Sequence, residues 1–183
     1  MRIIAGKYKS RKLVFKKSIL LRPTQDRVKE TIFNIISNKL ENSICLDLFA
    51  GSGSLGFEAV SRGAEKVDLV DTNVEFLYKN LESINSDKSA KIFKKNALSY
   101  IKSTEQLFDI IFLDPPWTKS DLFEHSLKAI FEFDILKSNG IIICEHPKEY
   151  NEFYSFNVNA QKKFGNKKIS ILEKLNEKSI ISG

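Results

Sequence analysis

The strongest constraint on the fold is a set of buried-strand patterns that alternate with helical patterns. The runs CLDLF, IIFL and IIIC are apolar without the alternation of a half-exposed strand. Strands buried on both faces have this composition, and they occur mainly in parallel sheets covered by helices. The stretches between these runs place apolar residues at spacings of three and four, which is typical of amphipathic helices. The sequence therefore predicts an α/β fold with a mostly parallel, doubly wound sheet.

The predicted order of elements is five strand–helix units followed by an antiparallel hairpin. Residues 152–175 hold two strand-like runs joined by a polar turn at Gly165-Asn166, which indicates a hairpin on the sheet edge. A seven-stranded sheet that ends in this way is the layout of Rossmann-like class I methyltransferases. The predicted strands cover 43–49, 66–71, 90–96, 108–117 and 139–147, and the predicted helices lie within 24–40, 53–63, 73–85, 97–103 and 121–136.

The composition is that of an ordinary globular domain. The chain has 183 residues, of which 42% are hydrophobic and 28% charged. Cys45 and Cys144 lie in apolar runs, which indicates buried thiols, and no C-x-x-C pair supports a redox or zinc site. His125 and His146 lack the spacing of metal ligands, so both are interpreted as structural and no metal is expected. Because the chain has neither an apolar leader nor a run of about 18 apolar residues, we expect a cytoplasmic protein without a membrane segment.

The positive charge is concentrated in residues 1–22, here called the arm. The arm carries +8 and no acidic residue, against +6 for the whole chain, so residues 23–183 sum to −2. Such a local excess is typical of a surface that binds a polyanion. A solvated tail is the alternative, but apolar residues interleave the charges. The sequence thus predicts an RNA-binding extension over 1–22 and a second domain over 23–183, with candidate RNA contacts at Arg2, Lys7, Lys9, Arg11, Lys12, Arg22 and, in the next helix, Arg27.

A glycine-rich loop follows the first predicted strand. Gly51, Gly53 and Gly56 spell G-x-G-x-x-G before a helix, and Asp71 lies 20 residues after Gly51 at the end of the second strand. The glycines allow a tight turn that comes close to a ligand, and an acidic residue at this place binds ribose hydroxyls. A pyrophosphate group of NAD and the carboxylate of S-adenosylmethionine both suit the N-terminus of the helix that follows.

The residues before the glycines favour S-adenosylmethionine over NAD. Asp47 ends the first strand, where its carboxylate would repel a pyrophosphate but pair with the α-ammonium group of S-adenosylmethionine. Phe49-Ala50 adds an apolar step, as in the D-x-F-A-G-S-G loops of methyltransferases. An NAD-dependent dehydrogenase stays open as the alternative, although the chain is too short for its sixth parallel strand and substrate domain.

The fourth strand ends in Asp114-Pro115-Pro116-Trp117, which suits methylation of an amine on a nucleobase. The lone pair of such an amine is delocalised into the ring, so the nitrogen is activated when acceptors bond its two N–H groups. The Asp114 carboxylate and the Pro115 carbonyl supply two acceptors, and the prolines hold them in place before the substrate arrives. Trp117 offers a face on which an extruded base can stack.

Together these motifs resemble the RsmD-type 16S ribosomal RNA guanine-N2 methyltransferases over nearly the whole chain. The similar stretches are Arg2–Lys7, Arg11–Leu13, Leu21-Arg22-Pro23-Thr24-x-Asp26-Arg27-Val28-Lys29-Glu30, Phe33-Asn34, Asp47–Gly56, Asp114–Pro116, Glu145-His146 and Phe164-Gly165.

The resemblance implies a methyl donor, a substrate and residue roles. The donor is S-adenosylmethionine, and the acceptor is the 2-amino group of a guanosine in 16S ribosomal RNA, within an assembling small subunit. The arm is expected to fold as a small β-hairpin beside the active site, with Arg22, Arg27 and Lys29 facing RNA phosphates, and the protein is expected to be a monomer. The implied cofactor residues are Asp47, Phe49, Gly51, Ser52, Gly53, Asp71, Asn96 and Ala97, and the implied catalytic residues are Asp114, Pro115, Pro116 and Trp117.

Two other functions remain open beside the NAD alternative. The family usually ends its fourth-strand motif in Phe or Tyr, whereas Trp117 stands here, an ending also found in adenine 6-amino methyltransferases acting on RNA or DNA. A non-catalytic RNA-binding module would explain the arm without turnover.

Overall fold

The structure is a computed structural model that describes residues 1–15, 23–116 and 120–175. The helices are α1 (Pro23–Ile35), α2 (Ser37–Leu40), α3 (Ser54–Ser61), α4 (Glu75–Ser83), α5 (Ala97–Ser103) and α6 (Ser120–Glu132). The strands are β1 (Ile44–Leu48), β2 (Lys66–Asp71), β3 (Ala90–Lys94), β4 (Phe108–Leu113), β5 (Leu136–Pro147), β6 (Phe156–Phe164) and β7 (Lys167–Lys174).

The seven strands form one sheet in the order β3-β2-β1-β4-β5-β7-β6. Strands β1 to β5 pair with one another in parallel, and β7 runs antiparallel to both β5 and β6. The predicted α/β fold with a C-terminal antiparallel hairpin is therefore confirmed. Strand β6 runs in the same direction as β1 to β5. The turn at Gly165, which follows β6, therefore lies at the end of the sheet where the central strands have their carboxyl ends.

Helices cover both faces of the sheet, which explains the apolar runs. On β1, Cys45 packs with the residues of α1, α3 and α4, whereas Leu46 packs with those of α5 and α6. Ile110 and Ile111 on β4 divide between the faces in the same way. The two cysteines are buried free thiols, as predicted. In the described ranges no helix is long and apolar enough to cross a bilayer.

Two helices end earlier than their patterns suggest. The helix predicted over 24–40 is interrupted at Ile36, whose φ of −97° and ψ of 9° depart from helical geometry. Ile36 and Leu40 are both buried, so the break keeps the apolar spacing that the pattern detects. Helix α6 ends at Glu132, and Leu136 instead pairs with Phe108 as the start of β5.

The described part of the arm, residues 1–15, packs on the same core as the sheet. Ile3, Tyr8 and Leu13 are buried with residues of α1, α3 and the central strands. A single antiparallel bridge, Arg2 to Lys12, closes the arm on itself. The N–H groups of Ile3, Ser10 and Leu13 donate to the carbonyls of Arg11, Ile3 and Met1 at 2.9, 2.9 and 3.0 Å, so the arm folds back on itself as a small hairpin. Other backbone groups of the arm bond to side chains of α3 and α4.

Candidate active site

The parallel strands bring most of the candidate residues to one edge of the sheet. Asp47 lies near the end of β1, Asp71 ends β2, Asn96 follows β3 and Asp114 follows β4. In an open α/β sheet the crevice beyond the carboxyl ends of the strands is the usual ligand site. Residues separated by up to 67 positions in the chain thus lie at the same end of the sheet.

The glycine loop between β1 and α3 has an unusual backbone conformation. Phe49, Gly51 and Gly53 have φ angles of +71°, +57° and +77°. Left-handed geometry costs a residue with a side chain about 1–2 kcal/mol, and at Gly53 a Cβ atom would also lie 2.4 Å from the ring of Phe57. Hydrogen bonds hold the turn, with the Gly53 N–H donating to the Ala50 carbonyl at 2.7 Å. Glycine is therefore required at Gly53 by both conformation and space.

Asp71 connects the second strand to the glycine loop. Its Oδ2 accepts from the Gly51 N–H at 2.8 Å, and its Oδ1 accepts from the Asn73 N–H at 2.9 Å. A carboxylate has about four lone-pair positions, so acceptor capacity remains for ribose hydroxyls. Asp71 thus both orders the loop and presents acceptor oxygens beside it.

Asp47 is a buried carboxylate beneath the glycine loop. It is 4% exposed, and its Oδ2 accepts from the Gly56 N–H at 2.8 Å. Burial raises the pKa of Asp47 to about 7, while the bond from Gly56 opposes that rise. A cation beside this carboxylate would offset the cost of its burial, so the site suits a ligand that carries an ammonium group.

Asn96 and Ala97 form the start of α5. The Asn96 side-chain oxygen accepts from the Leu98 N–H at 2.9 Å and so caps the helix, a role that the sequence analysis did not include. Ala97 is buried, whereas Asn96 is exposed at the crevice. The structure thus places the pair at the third strand end and gives Asn96 a definite orientation.

Asp114 and Pro115 follow β4 directly beside the glycine loop. Strand β4 pairs with β1, and Leu113 is the partner of Leu48, so the residues that follow these two are neighbours. Pro115 is buried, while Asp114 and Pro116 are exposed. Trp117, predicted to stack on a base, lies outside the described residues.

Several neighbouring groups act on the pKa of the Asp114 carboxyl. Desolvation by nearby protein and the charge of Glu145 raise the pKa of the Asp114 carboxyl, and the Lys167 ammonium opposes them. The exposure of Asp114 itself to solvent limits that rise. Glu145 on β5 forms an ion pair with Lys167 on β7, at the same edge of the sheet. The Glu145-His146 motif carried no predicted role for Glu145, and the structure makes Glu145 a neighbouring charge of Asp114.

The predicted RNA contacts in the arm lie at the surface, with one correction in the helix that follows. Arg2, Lys7, Lys9, Arg11 and Lys12 are exposed, as is Arg27 on α1. Arg22 lies outside the described residues. Lys29 was expected to face RNA phosphates, and this is wrong, because its side chain is 4% exposed.

Lys29 is part of a buried network that holds the arm against the helices. Its Nζ lies 3.3 Å from Glu58 Oε2, and desolvation lowers the pKa of Lys29. Glu58 is fully buried and accepts from the N–H groups of Ile4 and Ala5, at 2.8 and 3.0 Å, and from Arg62 Nε at 2.8 Å. The one signal of this role in the sequence is a charged residue within the apolar stretch GFEAV.

His146 is structural, as the sequence analysis interpreted it. The ring is 1% exposed, with Nδ1 2.8 Å from the Pro147 carbonyl oxygen and Nε2 2.6 Å from Ser170 Oγ. Desolvation lowers the pKa of His146, so the neutral ring donates at Nδ1 and accepts at Nε2. His125 is exposed on α6. Within residues 1–15, 23–116 and 120–175 no group of three or more His, Cys, Asp or Glu side chains is placed to hold a metal ion.

The sheet order and the arrangement of residues at the strand ends are those of the class I methyltransferases. A solved chain of Escherichia coli described as a candidate methyltransferase, yhhF, superposes with a TM-score of 0.85 at 30% identity, over 95% of this chain and 97% of that one. A candidate methylase of Haemophilus influenzae, HI0767, superposes with a TM-score of 0.80 at 34% identity, over 96% and 99% of the two chains.

Sequence comparison identifies the family within that class. The model of the family described as Conserved hypothetical protein 95 matches residues 1–173, and the chain belongs to that family. The ribosomal RNA small subunit methyltransferase D of Haemophilus influenzae is 43% identical over 155 residues, which cover 81% of this chain and 80% of the relative. The protein of the same name in Escherichia coli is 36% identical over 152 residues, or 81% and 76%. The predicted resemblance to RsmD-type methyltransferases is confirmed.

Proposed function

We propose that this protein transfers a methyl group from S-adenosylmethionine to the exocyclic 2-amino group of a guanosine in 16S ribosomal RNA. The observation that carries the proposal is the pairing of Leu48 with Leu113. This pairing puts the glycine loop, which suits the methyl donor, beside Asp114 and Pro115, which suit a target amine. The relatives named ribosomal RNA small subunit methyltransferase D support the choice of substrate class.

The residues at the strand ends fit S-adenosylmethionine. Asp47 would receive its α-ammonium group, since a cation offsets the burial that raises the pKa of this carboxyl to about 7. Asp71 would hold the ribose hydroxyls with its remaining lone pairs, and Asn96 and Ala97 would border the adenine. The loop residues Phe49, Gly51, Ser52 and Gly53 would surround the methionine portion. When bound, S-adenosylmethionine supplies an electrophilic methyl group.

Asp114 and the Pro115 carbonyl would orient and activate the target amine. Each accepts one N–H, which draws the nitrogen lone pair out of conjugation with the ring and directs it along the path of attack. After methylation the nitrogen is more acidic, and its proton passes to Asp114 or to water. The surroundings that raise the pKa of the Asp114 carboxyl make it a better proton acceptor at this step. Pro116 keeps the segment stiff, and Trp117 would stack on the base.

The exposed basic residues of the arm would bind the RNA backbone. Arg2, Lys7, Lys9, Arg11 and Lys12 lie on a segment fixed to the core, so they form an ordered cationic surface. Phosphate contacts fix the orientation of a nucleic acid, and base contacts in the site select the nucleotide. We propose an assembling small subunit as the substrate, a monomeric enzyme and a cytoplasmic location.

A methyl-transfer assay tests the proposal at the level of the product. Small subunits lacking their native methylation are incubated with labelled S-adenosylmethionine, and the RNA is digested to nucleosides. Label is expected in 2-methylguanosine, and Asp114→Asn is expected to reduce the rate about 10²–10³-fold, as loss of a preorganised charge does. Asp134→Asn is the matched control, because Asp134 is exposed and ion-paired with Lys174 at the opposite edge of the sheet.

The alternatives are distinguished by the labelled product and by two further measurements, RNA binding and thermal unfolding. Label in a methyladenosine would retain the mechanism and replace the guanine by an adenine. RNA binding without turnover in wild type and in Asp114→Asn would indicate a non-catalytic module. Thermal protection by NADH instead of S-adenosylhomocysteine would indicate a dehydrogenase.

A further inference from the structure

Asn80 is a fully buried polar side chain whose hydrogen bonds all leave its own helix. It lies in α4 with 0% exposure. Its Oδ1 accepts from the Val14 N–H at 2.7 Å, and its Nδ2 donates to the Val14 carbonyl and to the Ser52 carbonyl, both at 2.8 Å. Burial of an amide is costly unless it is paired, so these three bonds account for a polar residue at a core position.

The two partners of Asn80 belong to the two proposed binding elements. Val14 is in the arm, and its own side chain is 50% exposed, so Asn80 holds the arm by its backbone. Ser52 lies between Gly51 and Gly53 in the glycine loop. A single carboxamide therefore joins the backbone of the arm to the loop that suits the cofactor.

A second buried side chain makes the same connection at the other end of the arm. Lys29 Nζ donates to the Arg2 carbonyl at 2.6 Å and to Ser54 Oγ at 3.2 Å. Ser54 is the first residue of α3, immediately after Gly53. The two ends of the described arm are thus linked, through Asn80 and Lys29, to the residues on either side of Gly53.

These contacts bear on the conformation of the loop. The Ser52–Gly53 peptide is held on one side by Asn80, through the Ser52 carbonyl, and on the other by the Gly53 N–H bond to Ala50. The left-handed φ of +77° at Gly53 needs such support, because several backbone conformations are open to glycine. An arm that moves away would remove the two bonds between Val14 and Asn80, which would leave the Asn80 carboxamide free to turn away from the Ser52 carbonyl.

We propose that Asn80 is a positioning residue that couples the basic arm to the glycine loop, so that the binding of RNA and of S-adenosylmethionine favour each other. This inference rests on the proposed function. RNA on the arm and cofactor on the loop both require the same arrangement of arm and loop. The ligand that binds second therefore loses less conformational entropy, because the first has already ordered these segments. The coupling is reciprocal, since each ligand must change the affinity of the other by the same factor.

The test is the affinity for S-adenosylhomocysteine, measured by calorimetry with and without saturating unmethylated small subunits. The wild type is expected to bind at least about fivefold more tightly when the subunits are present. Asn80→Asp keeps the size of the side chain but places a carboxylate against two carbonyl oxygens. It is expected to bring this ratio to about one and to raise KM for S-adenosylmethionine about tenfold, with kcat at saturation within about twofold.

Asn38→Asp is the control, because it makes the same change of charge at an exposed position of α2. It is expected to leave the ratio and KM unchanged. If Asn80→Asp does not fold, Asn80→Ser is used in its place for both measurements. Asn80→Ser removes the side-chain bonds to Val14 and Ser52 without adding a charge.

The proposal is overturned if a folded Asn80 variant keeps the wild-type ratio, or if neither variant folds, since Asn80 would then serve the fold alone. A wild type whose two affinities are equal would overturn it as well. Absence of methyl transfer in the wild type would instead refute the proposed function, so the two failures are distinct.

Discussion

At the scale of single residues, two buried carboxylates hold the segments that surround the candidate site. Asp47 and Glu58 are 4% and 0% exposed, and each is held by backbone N–H groups. Both act on neighbouring segments: Asp47 holds the start of α3 and Glu58 holds the arm. Exposed pairs such as Glu75 with Lys79 on α4 have no comparable role, because solvent screens them.

Glu58→Gln tests the buried network. The substitution leaves the Lys29 ammonium buried without its counter-charge, so we expect a loss of about 3–5 kcal/mol in the free energy of unfolding. Glu75→Gln removes an exposed pair and is expected to leave the free energy of unfolding nearly unchanged, because solvent screens that pair. Urea unfolding of both variants measures the difference, and equal losses would contradict the assigned role of Glu58.

At the scale of elements, local patterns predicted what depends on local geometry. Strand β2 and helix α5 begin and end at the predicted residues, because alternation of faces and apolar spacing are set within a few positions. The glycine loop was predicted for the same reason. The boundary between α6 and β5 was not predicted, since Ile135 and Leu136 fit a helix and a strand equally well. The pairing of Leu136 with Phe108 makes this segment a strand.

The contacts of the arm could not be predicted in this way. Glu58 and Asn80 bond to arm residues 53 to 66 positions away. Lys29 lies three and four positions before the buried Ile32 and Phe33, so the helical spacing places it on the apolar face of α1. Its burial was missed because a lysine is rarely buried without a partner, and the partner Glu58 is distant in the sequence. The partners of long-range polar contacts are set by the tertiary fold, whereas a single sequence shows only the residue types.

Gly6→Ala tests the attachment of the arm as an element. Gly6 has a φ of +83°, and a Cβ atom there would lie 1.8 Å from the Ser61 carbonyl oxygen on α3. We expect the arm to be displaced, with KM for small subunits raised about tenfold by loss of an ordered phosphate-binding surface.

The matched control for this variant is Gly165→Ala. Gly165 has a φ of +63°, but no atom lies within 4 Å of the added methyl group. This variant is expected to cost about 1 kcal/mol of stability through its backbone alone. An unchanged KM in Gly6→Ala would show that the arm's position is unimportant for RNA.

At the scale of the whole molecule, the charge of Asp47 lowers the stability of the ligand-free protein, although the proposed binding of the ammonium group needs that charge. In the folded protein the pKa of Asp47 is about 7, whereas an unfolded aspartate titrates near 4. The native state thus binds more protons than the unfolded state between these values. The stability contributed by Asp47 is therefore present below about pH 4 and is lost as the pH rises to about 7.

Asp47→Asn is expected to stabilise the ligand-free protein by about 1 kcal/mol at pH 8 and to have a shrinking effect toward pH 4. Its affinity for S-adenosylhomocysteine is expected to fall, because the partner of the ammonium group loses its charge. Thermal unfolding across this range of pH measures the first effect and calorimetry the second. A gain in stability that does not vary with pH would show that burial of the Asp47 charge is not its cause.

The attachment of the arm also has a consequence for the order in which the chain is made. Four of the arm's partners, Glu58, Ser61, Asn80 and Asp87, follow it by 53 to 80 residues. Closing loops of that length is slow compared with forming helices, so the arm docks late in folding. On a translating ribosome, the most cationic segment of the chain would leave the ribosome before the residues of α3 and α4 to which it binds. Until those residues are made, it would be exposed to the surrounding ribosomal RNA.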